Sequence, residues 1–288
     1  MKKTALIFSL IACLGLGALG QNRPRDINQW LVVGVYTKLN KQFSLNLGQN
    51  YGFDYEPRKL KYVQTSGSIG YRLSSSLWLS AATQWTASPR EEGFSHKWRF
   101  AAGISLRTRL KNWQLSNSLN VEQHTKKEKK YRLRLIYTFY LKPKSLVNLG
   151  DFKFMPFAST RLYYNIGGSP ISQYNAEGKR VVKQSPDGLH RFRGTLGIYF
   201  RPTKSLKLTL YSMLQEEFNT PWDIQNHRRI NVVNPRTGRV SRAFSNKLVL
   251  GISIKYYLPT LLGERKKRLA RQASSQKPEN YFQSIIKP

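Results

Sequence analysis

From Gln29 to Leu258 one short pattern recurs: about ten residues of two-residue alternation, then a turn. Period two sends successive side chains to opposite faces, so each stretch reads as a β-strand with one apolar and one polar face. Phe43, Leu45, Leu47, Tyr51 and Phe53 share a face against Ser44, Asn46, Gly48, Asn50 and Gly52. Val63, Thr65, Ile69, Tyr71 and Leu73 oppose Tyr62, Gln64, Ser66, Ser68 and Arg72. Trp98, Phe100, Ala102, Ile104 and Leu106 oppose Arg99, Ala101, Gly103, Ser105 and Arg107. Trp113, Leu115, Leu119 and Val121 oppose Gln114, Ser116, Ser118, Asn120, Glu122 and His124. The pattern continues through 131–141, 190–201, 205–215 and 246–258. It is less clean in 29–38 and 77–86, and Pro156 interrupts 153–165 as at a strand end or bulge. No long helical periodicity occurs after the N-terminal segment. The count is about eleven strands, and the expected fold is all-β: a closed, transmembrane, antiparallel up-and-down β-barrel of about 10–12 strands.

A soluble barrel alternates too, with its apolar face inward. Three features favour the membrane. The polar faces are rich in Ser, Asn, Gln, Gly and Ala, as a crowded wet lumen demands, where a solvent-facing strand would carry more Lys and Glu. Trp30, Trp78, Trp85, Trp98, Trp113, Tyr256 and Tyr257 fall at or near segment ends, as in a headgroup girdle. Connections alternate between tight (39–42, 73–76, 109–112, 202–205) and longer (54–60, 87–96, 125–130, 166–189, 216–245). Outer-membrane barrels pair short periplasmic turns with long external loops. Parity conflicts with this picture. If the short turns are periplasmic, the first strand starts outside and eleven is odd, whereas bacterial single-chain barrels have even counts. Either a strand is missing from the count or the segment Gln21 to Asn28 crosses or threads the lumen. The turn Asn234-Pro235-Arg236-Thr237-Gly238 marks a hairpin inside one external loop, which leaves the parity unchanged.

The ends read separately. Lys2 and Lys3 precede an apolar run from Thr4 to Gly20 that ends in small residues, so residues 1–20 are expected to be a cleaved secretory signal peptide. The sole cysteine, Cys13, lies in that segment; Leu10-Ile11-Ala12-Cys13 also resembles a lipobox, the alternative route. Ordinary cleavage leaves no thiol chemistry in the mature chain. Residues 21–258 would form the barrel. Residues 259–288, with Arg265, Lys266, Lys267, Arg268 and Arg271, read as a basic disordered tail, or alternatively as a periplasmic contact for anionic headgroups or peptidoglycan.

The formal net charge is +33. Such a balance points to nucleic acid or an anionic membrane surface, and export removes nucleic acid. The expected partners are outer-membrane lipids and lipopolysaccharide, with barrel-assembly machinery reading the closing strand Val249 to Tyr256. The oligomeric state is left open. On the polar faces Arg72, Arg99, Arg107, Arg132, Arg134, Arg191, Arg193, Arg201, Lys207, Lys247 and Lys255 form a lumen-lining basic cluster, with Glu122 as its ion-pair partner. Two readings follow. Arginines can fill and plug a narrow barrel, with loops in a structural or binding role, or fixed cations can make a narrow pore for phosphate or carboxylate solutes.

No catalytic residues, metal ligands or cofactors are assigned, and the chain is read as a non-enzyme. Of His96, His124, His190 and His227, only His124 falls in a strand, beside Ser116, Ser118 and Glu122. Ser118 lies roughly 20 Å from it along an extended strand, too far for a dyad. A lipid-active enzyme is the least favoured alternative.

The Gln29-Trp30 opening, Arg132-Leu133-Arg134, Arg191-Phe192-Arg193 and the closing Asn246-Lys247-Leu248 resemble a family of bacterial, Bacteroidetes-type outer-membrane barrels. That family is known only as domain of unknown function 2490. The likeness spans about residues 25–258 and implies location and fold, with no activity.

Overall fold

The computed structural model describes residues 26–55, 59–125, 131–150 and 152–260. The expected signal peptide and all but the first two residues of the tail lie outside them.

Eleven strands close into a barrel. They are β1 (Asp26–Lys38), β2 (Phe43–Asp54), β3 (Leu60–Arg72), β4 (Leu77–Pro89), β5 (Phe94–Arg109), β6 (Trp113–His124) and β7 (Leu133–Pro143). After the short β8 (Val147–Leu149) come β9 (Phe152–Ile166), β12 (Gly188–Phe200), β13 (Leu206–Glu217) and β16 (Lys247–Tyr257). Neighbours around the ring are antiparallel until the last seam. There β16 pairs with β1 in parallel, from Asp26↔Lys247 to Tyr36↔Tyr257. The geometry requires this: in an up-and-down ring with an odd number of strands, the first and last run the same way. The parity conflict is thereby resolved without a missing strand, and the expected wholly antiparallel barrel is corrected at one seam. Pro156 sits inside β9, paired with Ile198 alone, because β7 pairs with β9 only from Ala158 onward. A residue that cannot donate fits there at no ladder cost.

Connections 39–42, 73–76, 110–112 and 201–205 gather at one end. The same end holds 144–151, which contains β8; the other end carries the longest connections, although β4 and β5 extend until only 90–93 separates them, shorter than the expected 87–96. Two of its loops are built rather than loose. One contains β10 (Ile171–Tyr174) and β11 (Arg180–Gln184); the other contains α1 (Pro221–Gln225), β14 (Val232–Val233) and β15 (Val240–Ser241). Thr220 caps α1 through a reciprocal box with Asp223. Gln173 Nε2 donates to the Arg229 carbonyl at 2.9 Å, and Gln184 Nε2 to those of Asn226 and His227. Gln173, Asp223, Ile230 and His190 are buried where the loops meet. This is a packed cap.

The barrel is inside out. Its exposed large apolar side chains include Val33, Leu47, Ile69, Leu79, Ile104, Leu119, Leu196, Leu210 and Ile252, all on outward faces. Buried strand residues include Asn28, Ser44, Glu122, Arg134, Asn165, Gln215 and Glu217, all pointing in. The interior has two unlike walls. Strands β2 to β6 present mainly small neutral groups such as Ser66, Ser68, Ala82, Ala101, Gly103 and Ser118. Strands β7 to β16 present Arg, Lys and Tyr. Large groups from one side occupy space left by small ones on the other, as small barrels require. At Gly251 any side chain would collide with the Tyr211 ring, and at Gly52 with Tyr62.

Candidate functional site, a layered basic lumen

Toward the loop end two inward arginines, Arg134 and Arg191, are paired with glutamates. Glu122 Oε1 accepts from Arg134 Nη2 at 2.5 Å and contacts His124 Nε2. Arg134 also donates to the Tyr131 hydroxyl at 2.8 Å. The cross-strand register, Glu122↔Arg134, places these groups side by side. Two strands on, Arg191 pairs with Glu217 directly opposite, its Nε donating at 2.9 Å. Between the two pairs lies the buried Tyr163 ring, with the Arg134 guanidinium 4.9 Å and the Arg191 guanidinium 5.7 Å from its centre. Glu217 also accepts from the Ser245 backbone at 2.9 Å, tying the barrel to the cap.

One level down the pairing changes. Arg193 and Arg161 face each other directly across β12 and β9. Arg193 Nε donates to Gln215 Oε1 at 2.8 Å, and its guanidinium lies 5.1 Å from the Tyr163 ring centre and 5.9 Å from that of Trp30. No ion pair to a carboxylate is found for either arginine among the described residues. Arg161 points inward, on the face of buried Tyr163 and Ser159, and is nevertheless exposed. The interior therefore leaves space beside Arg161 at this level.

Near the short turns a third set converges. Lys142 Nζ donates to the Tyr199 hydroxyl at 3.1 Å, and Lys207 Nζ sits 3.9 Å from the same ring's centre. Lys255 lies directly opposite Lys207, and Arg201 stands 5.0 Å from the Tyr257 ring centre. Arg72 and Arg107 flank the Trp78 ring at 5.8 Å and 5.7 Å.

The remaining residues of the expected cluster distribute as follows. Arg99 lies on the inward face opposite His124 and Gln84. Lys247 lies between Gln215 and Asp26. Arg72 and Arg201 are exposed at the turn end, Arg201 just beyond β12. Arg132 precedes β7 and is exposed, while its backbone N–H still donates to the Ile166 carbonyl and its carbonyl accepts from the His124 N–H. β7 starts at Leu133, two residues after the start that alternation suggested. Trp30 and Trp78 likewise point inward to arginines rather than into a girdle. In each case strand parity puts the indole on the inward face, where an arginine stands over it.

Sequence reading missed Lys142, Arg161 and Glu217. Lys142 and Glu217 simply continue the inward parity of Tyr140 and Gln215 beyond the assigned strand ends. Arg161 was hidden by Pro156, which broke the register of its segment. The His190–Asp223 contact, 3.6 Å, depends on a register shift between Leu189 and Arg191 and had no signal beyond the Thr220-Asp223 capping spacing.

No curated protein matches the chain. A family described as "Protein of unknown function (DUF2490)" does match, over residues 27–226. That span covers more than half the chain and takes in ten of the barrel strands, so this protein belongs to the DUF2490 family.

Proposed function

We propose that the protein is an exported, integral outer-membrane barrel whose capped loop end serves a structural or binding role, its basic lumen being largely occupied by its own side chains. The observation that carries this reading is the reversal of polarity. Outward faces expose Leu, Ile, Val and Phe on strand after strand, while inward faces bury Arg, Glu, Asn and Gln. Exposed apolar area of that extent needs an apolar surrounding. Basic residues near both ends then meet anionic headgroups and lipopolysaccharide phosphates. The packed cap supplies the loop-end surface. Membrane fractionation tests this: the chain should sediment with the outer membrane and run with heat-modifiable mobility. Recovery in the aqueous fraction without detergent would refute it.

A second reading, a narrow anion-preferring pore, is favoured by exposed, inward-pointing Arg161. Fixed cations along a wet path reject cations and admit anions. Planar-bilayer recording of refolded chain should then show small conductance with a reversal potential favouring chloride over potassium. Silence at every voltage removes the pore. The buried His124–Glu122–Arg134 cluster supports scaffolding rather than catalysis, since each group already has a partner. On this reading the protein has no enzymatic activity, and His124→Ala leaves no lipid turnover to lose.

A further inference from the structure

The lumen spends its carboxylates unevenly. Arg134 and Arg191 each hold a glutamate. Arg161 and Arg193, one level below, are directly opposed with no such partner among the described residues. Like charges directly opposite each other across an antiparallel pair are destabilising. A partly desolvated guanidinium without a counter-charge is costlier still. Thr138 and Thr195 occupy neighbouring inward positions and bring no counter-charge to the pair. Arg161 is exposed on the inward face, and its register partner Arg193 is half-buried beside the Trp30 and Tyr163 rings.

We propose that Arg161 and Arg193 form a binding site for a small oxyanion, phosphate or carboxylate, which enters through the short-turn end. Guanidinium binds both groups in a bidentate fork, and one oxyanion placed between two forks turns their repulsion into attraction. Gln215 takes Arg193 Nε and so leaves the Nη atoms of that fork for the ligand. The route of entry follows from the charge order along the axis. The turn end carries Lys142, Lys207, Lys255 and Arg201, whereas Glu122 and Glu217 stand toward the loop end under the packed cap. Among the described residues, an anion approaching from the turns meets these cations before it reaches the arginine pair. This site rests on the arrangement of the lumen and stands whether or not the barrel conducts.

The test is titration calorimetry on the full chain, refolded in detergent, with inorganic phosphate and with succinate at constant ionic strength set by chloride. Saturable binding of one or both is expected, and the tighter one identifies the oxyanion class. Arg161→Gln and Arg193→Gln should each weaken binding at least tenfold, while Lys183→Gln on the cap, exposed and outside the barrel, leaves it unchanged. Phosphate or succinate should also raise the unfolding temperature of the unmodified chain and not that of Arg161→Gln. Arg161→Lys guards against a folding defect: it keeps the charge, loses the fork, and should bind more weakly than the unmodified chain. No saturation above the chloride background, or unchanged affinity in both Arg161 variants, would overturn the proposal.

Discussion

Replacing Glu122 by alanine should destabilise the barrel by about 3–5 kcal/mol, the usual cost of removing one partner from a buried ion pair. Glu122 accepts from Arg134 and contacts His124, and all three are buried. Its loss strands the Arg134 charge against the Tyr163 ring and beside Arg191, with only the Tyr131 hydroxyl still accepting from it. Urea unfolding of the chain in lipid vesicles is the measurement. Glu122→Gln should cost less, because the amide oxygen can still accept from Arg134 while the charge is lost. The double substitution Glu122→Leu with Arg134→Leu should recover much of the deficit, since a matched apolar pair leaves nothing unpaired. A loss below about 1 kcal/mol in Glu122→Ala would place the pair among weak, solvent-screened ones.

Ile252→Arg is the second large effect, and it probes the outside of the same wall. Ile252 is at the centre of β16, outward, 48% exposed, and flanked by Leu31 on β1 and Leu210 on β13. In a bilayer an arginine at mid-height on the lipid face costs about 2–4 kcal/mol. The variant should fold poorly into vesicles, leaving a larger heat-insensitive fraction on gels. Val181→Arg, equally exposed but on β11 of the cap, should change stability by no more than about 0.5 kcal/mol, as surface substitutions usually do. If Ile252→Arg inserts as well as Val181→Arg does, the outward apolar face meets water and the membrane reading fails.

The two variants differ in how far sequence foresees them. Ile252 belongs to a run, Leu248 to Tyr256, whose alternation already assigns it to the apolar face. Glu122 and Arg134 were also legible, because each sits on the polar parity of adjacent strands. What alternation could not supply was alignment between strands. Parity names a face and leaves the height along the barrel undetermined. Hence Lys207 and Arg191 looked like equal members of one cluster, yet the first stands over a tyrosine near the turns and the second holds Glu217 near the loops. Arg132 looked equivalent to Arg134 for the same reason and proved to lie beyond the strand. Arg161 was invisible because one proline broke the count, although the register with Arg193 makes it the most telling residue of the lumen.

The repeating period of two, the small polar faces and the turn spacing determined by themselves that this chain is all-β with about eleven strands of one apolar and one polar face, since period and turn are local properties of the backbone. Closure is not local. Only the tertiary structure decided that β1 meets β16 in parallel, because a seam between strands over two hundred residues apart leaves no mark on either alone. The same ring set the heights of the charges, with Arg134 and Arg191 holding glutamates toward the loop end and Arg161 opposite Arg193 below them. A residue's partner across the lumen depends on shear and register summed around the barrel, and a chain read one segment at a time carries neither.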